Sequence, residues 1–554
     1  MTNISPGSTL PAPFSSAALS RREILSLLLG APIAALACQQ RAHRDYPGKI
    51  VGGDKTFGHR VLDSHLDFSQ VPSEQIEIAI IGGGVAGLSA AWRLQRRGES
   101  RYLVFELESR SGGTSCYGTD GVVPYPWAAH YLPVPDAGNE TLTELLKEFG
   151  AFEQDAAGRW EPTETMLVRA PEERLFIDGH WMSGLLPRPR MLPADWAEFS
   201  RFQRQVEQWT AFRDGQGRRA FTLPLVNCSP TSPWVKYDAI SAADWLRAEN
   251  YQSRSLRWWL EYGCRDDYGC TLETTSAWAL MLYHAARVPE PGAPSAPFLT
   301  WPEGNGRIVR HLEQMVGSRM RRQQLVVDVN PQEHHVDLTI LRSSAEAPYR
   351  VRARHVIMAV PRFLARHMLA PWRLGPPDWL RPFSYAPWMV ANLHLSGRPT
   401  SLGFPLSWDN VLFDSPSLGY VVATHQTLED DGPTILTYYY PFTDGSPDNA
   451  RARLAAADHR GFCDAILSDL ARAHPDLPKL IARIDVWRWG HAMIRPTPGL
   501  IWSDARIHAQ EPLGSVHFAH TDLSGVPLFE EAHAHGVRAA DTILAERRAV
   551  PSVG

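Results

Sequence analysis

The sequence predicts an α/β fold, in which a strand–helix–strand unit is joined to a region of mixed helices and strands. Residues 75–81 form a nearly continuous apolar run, typical of a buried parallel strand, and residues 85–97 follow with the apolar spacing of a helix. A second apolar run ends at Glu106. Further along, apolar residues recur with helical spacing over 239–287, and side chains alternate in character over 390–395. The chain therefore combines a parallel-sheet unit with a second, mixed region.

A glycine turn connects the first strand to the first helix. Gly82, Gly84 and Gly87 have G-x-G-x-x-G spacing. In that motif the glycines provide a tight turn, a close approach of the backbone to a pyrophosphate, and close packing of the helix on the strand. The helix N-terminus adds free N–H groups and the positive end of the helix dipole. Glu106 follows about 20 residues later, where a carboxylate accepts from ribose hydroxyls. The unit is therefore predicted to be Rossmann-like and to bind a dinucleotide.

The residues after the second strand narrow the choice of dinucleotide. Glu106, Arg110, Gly112 and Gly113 form an E-x-x-x-R-x-G-G pattern. This pattern resembles the flavin-containing amine oxidoreductase superfamily, which includes monoamine and polyamine oxidases, protoporphyrinogen oxidase and phytoene desaturases. The resemblance implies FAD as the cofactor, with Glu106 at the adenosine ribose and the turn 110–113 along the pyrophosphate.

Three later segments resemble the same superfamily in the same order, at residues 301–312, 325–361 and 516–544. The resemblance implies that Val326 lies on the strand near the adenine. It places Asp522 where an acidic residue contacts the ribityl-phosphate region of FAD. Phe529 falls at the position whose backbone N–H approaches the flavin pyrimidine. The resemblance therefore brackets nearly the whole chain after its N-terminal segment.

The order of these motifs predicts a discontinuous FAD-binding domain that carries an inserted substrate domain of mixed α+β structure. The FAD-binding domain is assigned to residues 74–165, 301–369 and 484–549, and the substrate domain to residues 166–300 and 370–483. Residues 39–73, which contain proline and glycine, are interpreted as a linker. Ligands on such folds bind where domains meet, so we expect a small-molecule substrate there.

The sequence departs from the superfamily at positions around the flavin. Residues 351–413 contain no lysine, whereas the amine oxidases place one near the flavin N5 atom. Leu528 and Glu531 stand where an aromatic and a small residue are usual, and residues 129–131 read Ala-His-Tyr instead of Gly-Ser-Tyr. Amine oxidation thereby loses its usual support, whereas a desaturase or dehydrogenase mainly needs a slot that positions a C–H bond at the cofactor.

Two histidines are candidates for catalysis. His520 follows the strand that resembles the C-terminal strand of the superfamily, and His491 lies in a segment rich in tryptophan and proline. An imidazole with a pKa near 6.5 can act as a base or a proton shuttle. His130, His533 and His535 carry the same chemistry, and for all five a hydrogen-bonded structural role is the alternative.

Other polar side chains are interpreted as structural. Glu530 and Glu531 stand at the N-terminal end of the last predicted helix, where the helix dipole favours carboxylates, so we expect them to cap it. Cys116 and the segment 263–270, which mixes thiols and carboxylates, match no metal-binding pattern. The two cysteines of that segment are close enough in sequence to suggest a local disulfide. No metal site is predicted.

The N-terminal residues predict export. Arg21 and Arg22 precede an apolar run over 24–37, which is shorter than the about 20 residues of a transmembrane helix. The arginine pair resembles a twin-arginine signal, which implies the Tat export machinery as a partner. A protein that folds around a non-covalent dinucleotide needs such a route. Residues 35–38 resemble a lipoprotein box, so membrane anchoring through acylated Cys38 and plain cleavage nearby both stay open; the expected location is periplasmic or exported.

Composition and charge complete the functional prediction. The net charge of −5 gives no basic groove, so nucleic acid is not expected as a partner. The sequence predicts an exported FAD-dependent oxidoreductase that oxidises a small or apolar substrate by hydride transfer, with O2 or another electron acceptor reoxidising the flavin. One alternative is an amine or polyamine oxidase with an altered active site. The other is a catalytically degenerate flavin-binding protein.

Overall fold

The computed structural model describes residues 45–63, 73–136, 138–342 and 347–549. The predicted export leader, with its arginine pair and Cys38, lies outside the described residues. Within the described part of the chain, no helix has both the length and the apolar character needed to cross a membrane.

A mixed, largely parallel sheet forms the centre of the nucleotide-binding half. In spatial order its described strands are Met320–Arg321, Tyr102–Phe105, Glu74–Ile81, Tyr349–Met358, Val336–Leu341 and Leu325–Pro331, with Val516–Phe518 also paired to Tyr349–Met358. The strand Glu74–Ile81 pairs in parallel with both of its neighbours. Its last four residues are buried, as expected where both faces of a parallel sheet are covered. The predicted α/β fold is confirmed.

Two helices pack together on this sheet. The nucleotide helix, Val85–Arg96, follows the glycine turn and contacts the C-terminal helix, Phe529–Ala549. Gly536 permits the close approach, because a Cβ at that position would lie 2.2 Å from the carbonyl oxygen of Ala86. The C-terminal helix is therefore fixed against the start of the nucleotide-binding unit.

A second sheet forms the other half of the described chain. In spatial order its strands are Ile50–Val51, Ile481–Ile494, Tyr385–Leu395, Thr434–Pro441, Gly419–Val422, Asp409–Leu412, Glu173–Ile177 and His180–Ser183. At its centre Val390 lies opposite Trp487 on one side and Tyr439 on the other. Three two-stranded pairs accompany the two sheets: Tyr117–Gly118 with Tyr125–Pro126, Tyr131–Pro133 with Phe298–Thr300, and Phe152–Gln154 with Trp160–Pro162.

Two predicted limits differ from the structure. Residues 484–494, assigned from the sequence to the nucleotide-binding domain, lie in the strand Ile481–Ile494 of the second sheet. Residues 50–51, assigned to the linker, form an edge strand of the same sheet, opposite residues 486–487. Both differences have the same cause: the local composition of a strand does not indicate which distant strand it pairs with.

The remaining described helices surround the two sheets. They are Lys55–Gly58, Glu140–Glu148, Pro193–Ala211, Ala242–Ala248, Arg254–Tyr268, Ala277–Ala285, Gly306–Val316, Arg362–Met368, Ala370–Leu374, Pro447–Ala456, His459–Leu470, Leu477–Leu480 and Asp504–His508. Three of them occupy the stretch 239–287, where the apolar spacing predicted helices. Ser253 caps the middle one by accepting from the N–H of Leu256.

Candidate active site

The glycine turn has the geometry of a phosphate site. Gly82 has φ +102°, and a Cβ there would lie 2.6 Å from the carbonyl oxygen of Ala359. A Cβ at Gly87 would lie 1.9 Å from the carbonyl oxygen of Gly82, so this position serves close packing. Gly84 is different, because the nearest atom to its Cβ position is the Cα of Gly113, at 4.0 Å. The second glycine of the motif therefore opens space.

A second glycine turn closes the other side of this space. The N–H of Gly112, which has φ +110°, donates to the carbonyl oxygen of Gly83 at 2.7 Å. The Cβ position of Gly113 is likewise open, with the Cα of Gly84 at 3.5 Å as the nearest atom. A cradle without side chains thus lies at the N-terminus of the nucleotide helix, where N–H groups and the helix dipole favour an anion. The cradle fits the pyrophosphate of FAD.

Glu106 lies directly beside the cradle, at the end of the strand Tyr102–Phe105. Its carboxylate accepts from the N–H groups of Gly83, at 2.7 Å, and Glu108, at 2.8 Å. Burial raises the pKa of Glu106 to about 7. Arg110 is exposed and donates to the carbonyl oxygen of Tyr117 at 3.3 Å. The residues predicted at the ribose and the pyrophosphate thus surround one site.

A cavity extends from this site to the second sheet. Its lining includes Glu106, Arg110, Gly113, Trp127, Trp487 and Trp489. The rings of Trp487 and Trp489 stack with centroids 4.6 Å apart, and the Trp489 indole donates to the carbonyl oxygen of Trp127 at 2.9 Å. A lining that is polar at one end and aromatic at the other suits a cofactor with a phosphate and an aromatic ring.

Asp522 joins the two halves of the described chain from a fully buried position. Its Oδ2 accepts from the backbone N–H of Arg362 at 2.7 Å and from the Tyr385 hydroxyl at 2.5 Å. Burial opposes ionisation, but His520 and these donors together hold the pKa of Asp522 below its ordinary value. Through its bond to the Arg362 N–H, Asp522 therefore fixes the loop after the strand Tyr349–Met358.

Val326, which was predicted near the adenine, is buried within its strand opposite Ile340.

The two histidines predicted for catalysis occupy different environments. Nδ1 of His520 lies 2.9 Å from Oδ1 of Asp522 and 3.2 Å from the backbone nitrogen of Asp522, at the start of a short 3₁₀ turn. His491 is exposed and stacks on Phe363 at a centroid distance of 4.1 Å. His520 is thus held beside a proposed cofactor contact, whereas His491 lies at the surface.

Of the other three histidine candidates, His130 is half-buried, and His533 and His535 are buried. His130 contacts the rings of Tyr439, Trp408 and Tyr131 at centroid distances of 4.8, 5.5 and 5.0 Å. Burial lowers the pKa of His130 to about 4, so its imidazole is neutral at pH 7. His533 Nδ1 lies 3.0 Å from the Ser89 hydroxyl, between the two packed helices. His130 therefore belongs to an aromatic wall.

Next to this wall lie carboxyl groups that sequence reasoning passed over. The Tyr131 hydroxyl donates to Asp267 at 3.0 Å and to Asp266 at 3.3 Å. Arg287 forms an ion pair with Asp267 at 2.6 Å. The Asp266–Asp267 pair falls in the segment 263–270, which was interpreted as structural. The only signal in the sequence was the adjacency of the two acids, on a helix that also carries other charged side chains.

Further carboxyl groups come from the second sheet. The Tyr262 hydroxyl donates to Oδ2 of Asp409 at 3.0 Å. Burial, followed by the charges of Asp266 and Glu173, raises the pKa of Asp409 well above its ordinary value. Burial raises the pKa of Glu173 to about 7, and burial and the Asp267 charge raise that of Asp266. We call Asp266, Asp267, Asp409 and Glu173 the acidic chamber.

The first turn of the C-terminal helix extends the chamber. Glu530 and Glu531 lie in this turn, as expected of carboxylates at a helix N-terminus, and both are almost fully buried. Oε1 of Glu531 accepts from the N–H of Leu225 at 2.6 Å. Burial raises the pKa of Glu530 to about 7, and the charges of Arg287 and Asp267 act on it. The acidic chamber therefore approaches Phe529, the residue expected at the flavin, which begins this helix.

The cysteines of the described residues are unpaired and buried: Cys116, Cys228, Cys264, Cys270 and Cys463. Burial raises the pKa of Cys116 and Cys264, so their thiols are not thiolates at neutral pH. The disulfide suggested between Cys264 and Cys270 is therefore not present.

Comparison with known proteins agrees with the site. Residues 80–149 match the family of NAD(P)-binding Rossmann-like domains. A provisionally assigned flavin-containing monoamine oxidase of Mycobacterium tuberculosis is 25% identical over 507 residues, which cover 86% of this chain and 98% of the relative. Oxidoreductase PigB of a Serratia species is 22% identical over 559 residues, which cover 89% of this chain and 78% of PigB. The solved structure of putrescine oxidase bound to putrescine has a TM-score of 0.62 at 17% identity. The match covers 85% of this chain and 99% of that chain and shows a similar fold.

Fold and site together define an oxidoreductase built on a Rossmann-like nucleotide-binding domain. The chain is similar to flavin-containing oxidoreductases of the amine oxidase type, and these similarities support the flavin amine oxidase-like family with FAD as the cofactor. The predicted family, fold class and cofactor are confirmed.

Proposed function

We propose that this protein is an exported FAD-dependent oxidoreductase that oxidises an amine by hydride transfer from the carbon next to the nitrogen. The acidic chamber carries the proposal. Arg287 is ion-paired with Asp267, and the described residues show no ion pair for Asp409 or Glu173. A buried group of carboxyls with so little positive charge is unfavourable by itself and is stabilised by a cationic ligand.

The position of the chamber suits this chemistry. Asp266, Asp409 and Glu173 keep partial solvent access although burial dominates their pKa, so these carboxyl groups are not sealed inside the core. The aromatic wall at His130 and Tyr439 borders them and offers ring faces to a cationic nitrogen. The names of the monoamine oxidase and putrescine oxidase relatives agree with an amine substrate.

The residues of the chamber also provide a route for the proton. An amine arrives protonated and must lose a proton before its carbon can give up a hydride. A carboxylate whose pKa lies near 7, such as that of Glu173, can accept this proton at neutral pH. FAD, when bound, accepts the two electrons as a hydride and passes them to O2 or another acceptor. Loss of the hydride from the neutral amine leaves a protonated imine, so electrons and protons balance.

A second candidate, oxidation of a C–C bond in an apolar substrate, is favoured by the centre of the second sheet. There Trp388, Val390 and Trp489 form an apolar surface without the lysine of the amine oxidases. This surface can position a C–H bond without binding charge.

Anaerobic reduction of the bound flavin separates the two candidates. The FAD-loaded protein is mixed with a primary amine, a diamine and an alkene of matched carbon number, and the visible flavin bands are recorded. We expect the amines to bleach the bands and the alkene to leave them unchanged. Bleaching by the alkene alone would replace the proposal with the second candidate. No bleaching by any of them would favour a degenerate flavin-binding protein.

Export is proposed on the N-terminal sequence alone. In the full-length chain, replacing Arg21 and Arg22 by lysine is expected to leave the protein in the cytoplasm, because a twin-arginine exporter recognises the arginine pair. Cell fractionation measures how the protein is distributed between cytoplasm, periplasm and membrane. A second variant, Cys38→Ser in the intact leader, tests acylation. Export that is unchanged in the double variant would contradict the proposal. If Cys38 is acylated, C38S releases the protein from the membrane fraction.

A further inference from the structure

A cluster of two histidines and one glutamate lies away from the acidic chamber, under the end of the C-terminal helix. His355 is on the strand Tyr349–Met358, and His517 is on the neighbouring strand Val516–Phe518, opposite Ile357. Glu546 projects from the C-terminal helix, and its Oε2 lies 3.3 Å from Nε2 of His517 and 3.8 Å from Nδ1 of His355. The three potential ligand atoms all lie within 4.8 Å of one another.

The two imidazole nitrogens that face this cluster are buried without hydrogen-bond partners. The side chains of His355 and His517 are 10% and 4% exposed. Within the described part of the chain, neither Nδ1 of His355 nor Nε2 of His517 makes a hydrogen bond. A buried polar atom without a partner has lost its hydration and gained nothing in return, so a ligand that both nitrogens share would remove this penalty.

The charges around the cluster leave Glu546 available. Arg354 lies 3.6 Å from Glu77, and Arg547 forms ion pairs with both Glu77 and Glu99. Arg538, which lies near His517, donates to the carbonyl oxygen of Phe518 at 2.8 Å. These contacts engage the neighbouring guanidinium groups with oxygens other than those of Glu546.

We propose that His355, His517 and Glu546 bind a divalent transition-metal ion, for which Zn²⁺ is the best match. Two imidazoles and a carboxylate are a zinc donor set, and water can take the fourth position. Zinc–ligand bonds of about 2.0–2.2 Å place ligand atoms about 3.3–3.6 Å apart in a tetrahedron. The His517–Glu546 distance already lies in this range, and the 46% exposed Glu546 side chain can move to shorten its 3.8 Å distance to His355.

The metal would act as a clamp in the fold. It would tie the last turns of the C-terminal helix to two strands of the nucleotide-binding sheet, on the helix whose first residue is expected at the flavin. The three ligands are far apart in the chain and form no motif of fixed spacing. The sequence therefore gave no local indication of a metal site, and none was predicted.

Metal binding to the FAD-loaded protein, stripped with a chelator, tests the proposal. Calorimetric titration with Zn²⁺ is expected to show one ion per chain and a rise in Tm, and Co²⁺ is expected to give the visible bands of a tetrahedral site. In Glu546→Gln we expect the affinity to fall at least about 100-fold, with the rise in Tm lost and the metal-free Tm unchanged. His517→Ala should also lose the ion.

His334→Ala is the matched control, because His334 is 82% exposed and lies 3.7 Å from Glu333, an isolated surface pair. It should bind Zn²⁺ like the unaltered protein. A wild-type protein that binds no Zn²⁺, or E546Q and H334A variants that bind it equally well, would overturn the proposal. If the His517→Ala variant does not fold, Zn²⁺ binding by the Glu546→Gln variant decides whether the proposal holds.

Discussion

Replacing Gly84 by valine is expected to abolish FAD retention while leaving the fold of the apoprotein intact. The Cβ position of Gly84 has no atom nearer than 4.0 Å, and its backbone, at φ −75° and ψ −178°, is one that valine adopts readily. The new side chain would instead fill the cradle meant for the pyrophosphate. Loss of two hydrogen bonds to a charged phosphate, at about 1.5–3 kcal/mol each, corresponds to at least about 100-fold weaker binding.

Flavin absorbance of the purified protein, followed by FAD titration of the apoprotein, measures this effect. Gly375→Val is the matched control, because nothing lies within 4 Å of its Cβ position and it is outside the cradle. The apoprotein Tm of both variants should equal that of the wild type. If G84V retained FAD with undiminished affinity, the phosphates would have to bind elsewhere.

Replacing Asp266 by asparagine is expected to lower kcat/KM for an amine substrate by about 100-fold. A carboxylate and an ammonium group 4 Å apart attract each other by about 4 kcal/mol at an effective dielectric constant of 20, and asparagine removes most of this attraction. The loss should appear mainly in KM, because the charge binds the substrate. Stability should not fall, since the change removes a buried acid next to Asp267 and keeps an oxygen for the Tyr131 hydroxyl.

The pH dependence of KM provides an independent test. The pKa values of Glu173 and Glu530 are about 7, so the chamber gains negative charge as the pH rises through 7. Amine affinity should therefore rise over this interval, with a smaller rise in Asp266→Asn. Asp378→Asn, which alters an 85% exposed surface acid paired with Arg381, is the control and should match the wild type. An unchanged KM in D266N would contradict binding of the amine in the chamber.

The nucleotide-binding half of the fold was predictable from its sequence because its requirements are local. Gly82 must adopt a positive φ, Gly87 must admit a neighbouring carbonyl group, and Gly84 must leave space. Each requirement is met by one residue type at one position in a short motif. The apolar run 75–81 indicates in the same way that both faces of the sheet are covered where the strand ends in four buried residues.

The histidine candidates show where local reasoning fails. His520 and His491 have the same intrinsic chemistry, but one is held by a buried carboxylate and the other stacks at the surface. Glu531 follows the start of a helix, as a capping residue would, yet its carboxylate binds Leu225 from another part of the chain. In these cases the partner that decides the role is distant in sequence.

The sequence by itself determined the superfamily, the cofactor and the glycine cradle, because backbone conformation is encoded by the residues that adopt it. The tertiary structure alone decided that Asp266, Asp409 and Glu173 share one chamber, and that His355 and His517 face Glu546. The physical reason is that the charge and proton affinity of a buried group depend on the neighbours around it and on its distance from water. Those neighbours are brought together by strand pairing and helix packing between distant segments.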